Sequence, residues 1–565
     1  MTEPTEPTET TEPTESRPPV RRAVRVRSLL ARAGSAVLVL GVTAAVVAMA
    51  TVEPVPAQVP VPPLLVEVPA PTAVVACPGT TRVPTEPEAG GDVVYDPQFD
   101  PAPGETVARL QAITAAPSAT TPGEETSAGD PAATGTLDPL DATAAALAVL
   151  EPVGAAAAAG IGNLTGAVVV RGEPRGAVPA WVAGAVSSRT AEGDLRGLAA
   201  ASCQRPGTET WLVGGSTSLG SSSRLVLQNP GRTPALVRLE LWGPSGAVEP
   251  AGSPEYLVPA GQERVVLLEG VAAEQRRIVA RVTSSGGLVT AYLQDSELRG
   301  LVPAGVDLVV AGQAPATHQV VPGLSVMQTA ADGVDTSVLR LLVPGAEPGS
   351  AAITLLGAQG PVTLPGTASV SLEAGAVLDV PLGGLPAGDY TVVVDADVPV
   401  VAGALLTRGA GVGGPDDGSS EDRPLERAWA ASAPTGAGLL ALPAGSLGRL
   451  LVAAVPDPAL QGPAEATLVV IGADGAVLGE RSLSIPAGTT TALPLDALLD
   501  RADDAAGAAT PAELAHPAGV VLRTADPRLT WAAVLVTPDA AGDLVSVLTP
   551  VAPQVVRAEV PVRVR

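Results

Sequence analysis

The chain repeats itself at a long period, and that repeat limits the fold more than any other feature. Three segments, LELWGPSG (239–246), ITLLGAQG (353–360) and LVVIGADG (468–475), are each an apolar run closed by Gly-x-x-Gly. Their first glycines, Gly243, Gly357 and Gly472, lie 114 and 115 residues apart. A second marker, the glycine of PAG, EAG and PAG, follows at Gly261, Gly375 and Gly488. Apolar residues fall five and seven positions after each: Val266 and Leu268, Val380 and Leu382, Leu493 and Leu495. An interval of two is the strand period. Pro230, Pro344 and Pro456 break a third set of apolar runs, which reads as strand ends because proline cannot donate to a ladder. Each repeat closes on two apolar runs around a short polar turn, such as IVARVTSSGGLVTAYLQ, which predicts a β-hairpin.

A unit of this length, with about seven short strands and frequent turns, predicts an antiparallel β-sandwich of immunoglobulin-like size. The fold class expected is therefore all-β, with tandem sandwich modules at 211–317, 318–426 and 427–565. A degenerate copy is expected over 53–210, interrupted by a Pro-, Thr- and Glu-rich insertion at about 80–138. Val168 lies one period before Val279, and VVACPG (74–79) resembles HQVVPG (318–323). The Gly-x-x-Gly elements read as turns, since glycine tolerates positive φ. They are not phosphate loops, for which no strand–turn–helix context exists.

Composition agrees with short strands. Gly (62) and Pro (58) are abundant, and 46% of residues are apolar, mostly Ala, Val and Leu, with one Phe. Every basic residue is Arg, and the net charge of −25 argues against nucleic acid, which needs clustered cations.

The N-terminus sets the compartment. MTEPTEPTETTEPTES cannot bury a core and reads as a disordered tail, placed with the following arginines at 1–32. Residues 33–52, AGSAVLVLGVTAAVVAMATV, carry no charge and are long enough to span about 30 Å of hydrocarbon. The preceding Arg17, Arg21, Arg22, Arg25, Arg27 and Arg32 hold that end in the cytoplasm. This predicts a single-pass membrane protein whose lipid partner is met by 33–52 and whose bulk is extracytoplasmic. A cleaved signal peptide, with Ala48-Met49-Ala50 as its A-x-A site, stays open, as does a buried soluble helix. Outside the membrane the two cysteines, Cys77 and Cys203, most simply form one disulfide, which closes a long loop and contributes roughly 4 kcal/mol. Two free thiols are the alternative.

Catalytic constellations are scarce. His318 and His516 are the only histidines and fall in different modules. Nucleophile–His sites and zinc sites both need closer partners. Absence of Lys removes Walker A, Schiff-base and Ser–Lys chemistry. No catalytic, cofactor-binding or metal residue is assigned; GPDDGSSED (414–422) offers oxygen ligands for Ca²⁺ but reads better as an acidic linker. Residues 500–515 read as a surface helix. Trp181, Trp211, Trp242, Trp429 and Trp531 fall on strands, as packing residues or as a sugar-stacking platform. Trp211 and Trp429 read as equivalent, each on the first strand of its module.

The run GLAAASCQRPGTETWLVGG (197–215), with LVLQNPG, ALVRLELWGPSG and the CPG at 77–79, resembles the actinobacterial domain-of-unknown-function 5719 family over roughly 70–550. The resemblance implies a single-pass envelope protein and carries no activity or catalytic residue. The expected role is a non-catalytic scaffold or binding protein that meets wall polymer or an envelope protein. The alternatives are an accessory subunit of a membrane envelope-biosynthesis enzyme, or a carboxylate-based wall-glycan hydrolase.

Overall fold

In the computed structural model, residues 26–51, 64–83, 104–115, 133–175, 178–330, 335–409, 424–498, 517–554 and 559–562 are described, apart from positions 142, 365 and 367. The tail before 26, the acidic linker 414–422, the expected helix 500–515, His516 and most of the 80–138 insertion lie outside them. The chain divides into two bodies, Met1–Val66 with Pro561–Arg565, and Glu67–Val560.

The smaller body holds one helix, Val26–Thr51, and the chain forms a separate two-stranded pair from Leu64–Glu67 and Glu559–Val562. The helix side chains from 34 to 49 are exposed, Leu38 and Leu40 at 69% and Met49 at 79%. Among the described residues no helix is long and apolar enough to cross a membrane.

The larger body is all-β and antiparallel, and its strands repeat one order four times. In the clearest copy they are, in chain order, Glu209–Val213, Ser221–Gln228, Ala235–Gly243, Gly246–Val248, Glu263–Leu267, Val279–Ser285, Thr290–Arg299 and Val302–Val309. Glu255–Val258 adds to the third strand. One sheet has the order first–sixth–third–fourth, the other fifth–second–seventh–eighth. Leu225, Leu227 and Leu293 of one sheet and Val237, Leu239, Ala280 and Val282 of the other fill a shared core. The same order holds from Ala73–Cys77 to Gly197–Ser202, from Ala316–Val326 to Glu426–Ala431, and from Gly438–Ala441 to Leu544–Leu548. The interrupted N-terminal segment is thus a complete fourth copy.

Several expectations change. Each copy fills eight strand positions rather than seven, because the apolar run after each closing pair adds an edge. The closing pair is not a hairpin: Val279–Ser285 lies in one sheet and Thr290–Arg299 in the other. Both runs are buried, so each seeks the centre of its own sheet, and the turn becomes an arch between them. In the third copy no break occurs; Gly388–Arg408 is one 21-residue strand that serves both sheets. Trp429 is on the eighth strand of the third copy, Glu426–Ala431, and so is not equivalent to Trp211. The strand carrying His318 runs past Pro322 through a register shift between Val321 and Leu324, since proline has no N–H for the ladder. The proline markers hold: Ser221–Gln228, Val338–Leu342 and Gly448–Ala454 stop just before Pro230, Pro344 and Pro456. So do the glycine turns, where Gly243 pairs Gly246 and Gly357 pairs Gly360, with φ of +120° and +126° at the second glycine.

The disulfide joins Cys77 to Cys203 with Cα atoms 4.3 Å apart. Cys77 ends the first strand of the N-terminal copy and Cys203 follows its eighth, so the bond ties the two sheets together. Gly184 makes the room: a Cβ there would sit 2.6 Å from Cys203 Sγ and 3.2 Å from Cys77 Sγ. Replacing it, as Gly184→Ala, is expected to destabilise the protein by about 1–3 kcal/mol through overpacking. Denaturant melts will show this, and an unchanged midpoint would refute the tight fit.

Candidate functional site

The eighth strand of every copy is a sheet edge, and the four edges meet. Gly197–Ser202, Val302–Val309, Glu426–Ala431 and Leu544–Leu548 are rich in Ala and Val, with Ala199, Ala200 and Ala201 fully buried. Small side chains let these backbones approach one another. A sheet edge presents unpaired N–H and C=O groups that need partners once buried.

Two carboxylates supply them. Asp307, on the second copy's edge, is 1% exposed. Its Oδ1 lies 3.3 Å from the Ala200 amide nitrogen of the first copy and 2.7 Å from Ser546 Oγ of the fourth. Its Oδ2 accepts from the Trp429 amide of the third at 2.6 Å. One side chain therefore touches all four copies. Ser546 Oγ also accepts from the Ala200 amide at 2.9 Å. Glu426 Oε1 accepts from the amides of Leu198 at 2.8 Å and Val545 at 3.4 Å. Glu426 Oε2 is buried without a partner. Burial pushes the Asp307 carboxyl up to about 8, against the opposing pull of its hydrogen bonds. Burial also raises Glu426 well above the carboxylate range, and neighbouring Asp307 adds to the effect.

The seams between copies carry further buried polar ties. Tyr292 Oη donates to the Ala76 carbonyl and accepts from the Gln204 amide, joining copies two and one. Arg340 pairs Nε and Nη2 with Asp379, donates from Nη1 to the Gly215 and Ile278 carbonyls, and lies 4.9 Å over the Trp429 ring. Trp429 Nε1 donates to buried Asp295 at 2.8 Å, joining copies three and two. Arg449 pairs with Asp389 between four and three, and Arg196 with Asp539 between one and four. Apolar clusters continue across the same seams; Ile113, Trp181 and Ala185 of the first copy pack with Leu440, Leu468 and Trp531 of the fourth.

A cavity of about 220 Å³ opens where the chain leaves the four edges. It is lined by the joints themselves: Ser202–Arg205, Ala311 and Gln313, Ser432–Pro434, and Thr549–Ala552. Asp307 and Glu426 do not line it. A second cavity of about 190 Å³ lies between the first and fourth copies, near Arg109, Arg189 and Ser446.

Most residues singled out from sequence lie elsewhere. His318 Nδ1 is 2.7 Å from Asp395 Oδ1 in an exposed pair. Trp181, Trp211, Trp429 and Trp531 are at most 4% exposed and pack in cores or seams, while partly buried Trp242 stacks on Trp211 at 5.4 Å. Cys203 alone borders the axial cavity. Asp307 and Glu426 escaped the sequence reading, although each is a lone acid in an apolar run, VPAGVDLVV and PLERAWAA. Among the described residues no cluster of three or more His, Cys, Asp or Glu is placed to hold a metal ion.

Raised carboxyl values fix the sign of a pH effect. A carboxyl held above its unfolded value stabilises the fold fully below that value, and the benefit is lost as pH rises through the folded one. Asp539 and Asp526, held low by arginine, titrate below this window. The melting temperature is expected to fall from about pH 5 to about pH 9. Asp307→Asn, which keeps a neutral acceptor and donor, should fold and flatten that slope; a slope unchanged by the substitution would rule out Asp307 as its source.

A family model described as "Family of unknown function (DUF5719)" matches residues 158–496. No curated protein matches the chain. One solved structure, described as "Biofilm associated protein - BSP domain", aligns over 85% of this chain and 96% of its own at 10% identity. Its TM-score is 0.12, too low to carry an argument about this fold.

Proposed function

The chain belongs to the DUF5719 family, and from that premise we propose that it is a membrane-anchored extracytoplasmic protein of the bacterial envelope whose β-body has a non-catalytic scaffold or binding role. The observation that carries this reading is the helix Val26–Thr51, whose side chains from 34 to 49 are uncharged, mostly apolar and exposed on an otherwise all-β chain. An exposed apolar helix finds its favourable surroundings in lipid. The Cys77–Cys203 bond supports an oxidising compartment. We read the four copies as immunoglobulin-like sandwiches with one strand added, a reading supported by their facing antiparallel sheets.

The locked centre favours a scaffold. Relative motion of the four copies would break the hydrogen bonds of Asp307, so the body presents a fixed surface. The wall-glycan hydrolase reading gains nothing from the buried acids. Asp307 and Glu426 are spent on backbone amides, and neither borders a described cavity.

Fractionation of cells expressing the full chain tests the anchor. The protein is expected in the membrane pellet after carbonate extraction, with its β-body digested by protease added to intact cells. Deleting 33–52 should leave it out of the pellet. Release of the intact chain by carbonate, or a body protected from external protease, would overturn the proposal.

A further inference from the structure

The axial cavity has the chemistry of an anion site. Each of the four joints contributes polar side chains to its wall: Ser202, Gln204 and Arg205 from the first, Gln313 from the second, Ser432 from the third and Thr549 from the fourth. Among the described residues no acidic one lines it, in a protein of net charge −25. A guanidinium carries five N–H donors in a fixed fork. Arg205 gives one hydrogen bond to a protein group, the Ala552 carbonyl, and among the described residues no carboxylate pairs with it. Gln313 and Thr549 make no side-chain hydrogen bond among the described residues.

Leaving a partly desolvated guanidinium without a counter-charge is costly. Burial lowers its pKa, and among the described residues no charged neighbour shifts it. The backbone under it is held fast. Cys203 is in the disulfide, and its amide donates to the Gly184 carbonyl at 2.8 Å. Gln204 exchanges backbone hydrogen bonds with Ala76, and its amide also donates to Tyr292 Oη. The fork is therefore presented by a rigid strand end, the arrangement that bidentate oxyanion recognition needs.

We propose that this cavity binds a small oxyanion, a phosphate or carboxylate group, with Arg205 as the charged anchor and Gln313 and Thr549 as neutral donors. Its volume of about 220 Å³ falls below the usual range of about 300–1,000 Å³ for drug-sized ligands. It therefore admits a free ion or the anionic end group of a larger molecule. The site does not depend on the membrane anchor, so it stands or falls separately from the role proposed above.

Calorimetric titration and thermal shift of the full chain in a non-ionic detergent test it, with inorganic phosphate and acetate as probes and chloride as the control at matched ionic strength. Saturable binding of phosphate alone assigns the site to phosphoryl groups, and of acetate alone to carboxylate ends. Either outcome supports the proposal if Arg205→Gln weakens binding by about tenfold or more. Thr549→Val, which removes a donor without touching the charge, should weaken it by a smaller factor, and it decides the question if the Arg205 variant does not fold. Saturation by neither probe, equal binding by both substituted chains, or an adventitious response matched by chloride would overturn it.

Discussion

The fold depends on how four exposed sheet edges are satisfied once they are buried. An edge strand is a row of unpaired peptide groups, and open edges invite pairing with other chains. Here the edges are turned inward and the Asp307 carboxyl stands between them. It meets the amides of Ala200 and Trp429 and the hydroxyl of Ser546. Glu426 does the same for Leu198 and Val545. Without these acceptors the centre would hold several buried donors with no partner, each costing about 1–3 kcal/mol. With them, the copies form one body.

Residue size makes the arrangement feasible. The cores are built from Ala, Val and Leu, with a single Phe in the chain. Strands such as GLAAAS are thin enough for a neighbour's carboxylate to reach the backbone. Larger residues are reserved for the seams, where Trp429 lies under Arg340 and Trp211 stacks on Trp242. The same economy of volume appears at Gly184, whose missing side chain is the space the disulfide fills.

Local features were legible in the sequence. The spacing of Gly243, Gly357 and Gly472 marked equivalent turns, and Pro230, Pro344 and Pro456 marked strand ends, because those residues act through their own backbone. Cys77 and Cys203 paired as the compartment suggested. What escaped was decided by contacts between distant segments. The periodicity of Val279–Ser285 and Thr290–Arg299 is the same whether they pair or part. Only the strands that intervene in each sheet separate them. Trp429 reads from sequence as part of a first strand because an eighth strand looks like the first strand of the next copy. Asp307 and Glu426 carry no motif; their meaning lies in three other copies as much as 239 residues away.

The seam between the first and fourth copies has a consequence for biosynthesis. Ile113, Trp181 and Ala185 are covered by Leu440, Leu468 and Trp531, which the ribosome makes last. Chains emerge from the N-terminus, so the earliest sandwich waits with one greasy flank bare until the final one arrives. Truncated translation products would keep that flank permanently open, which makes them natural clients for chaperones and quality-control proteases.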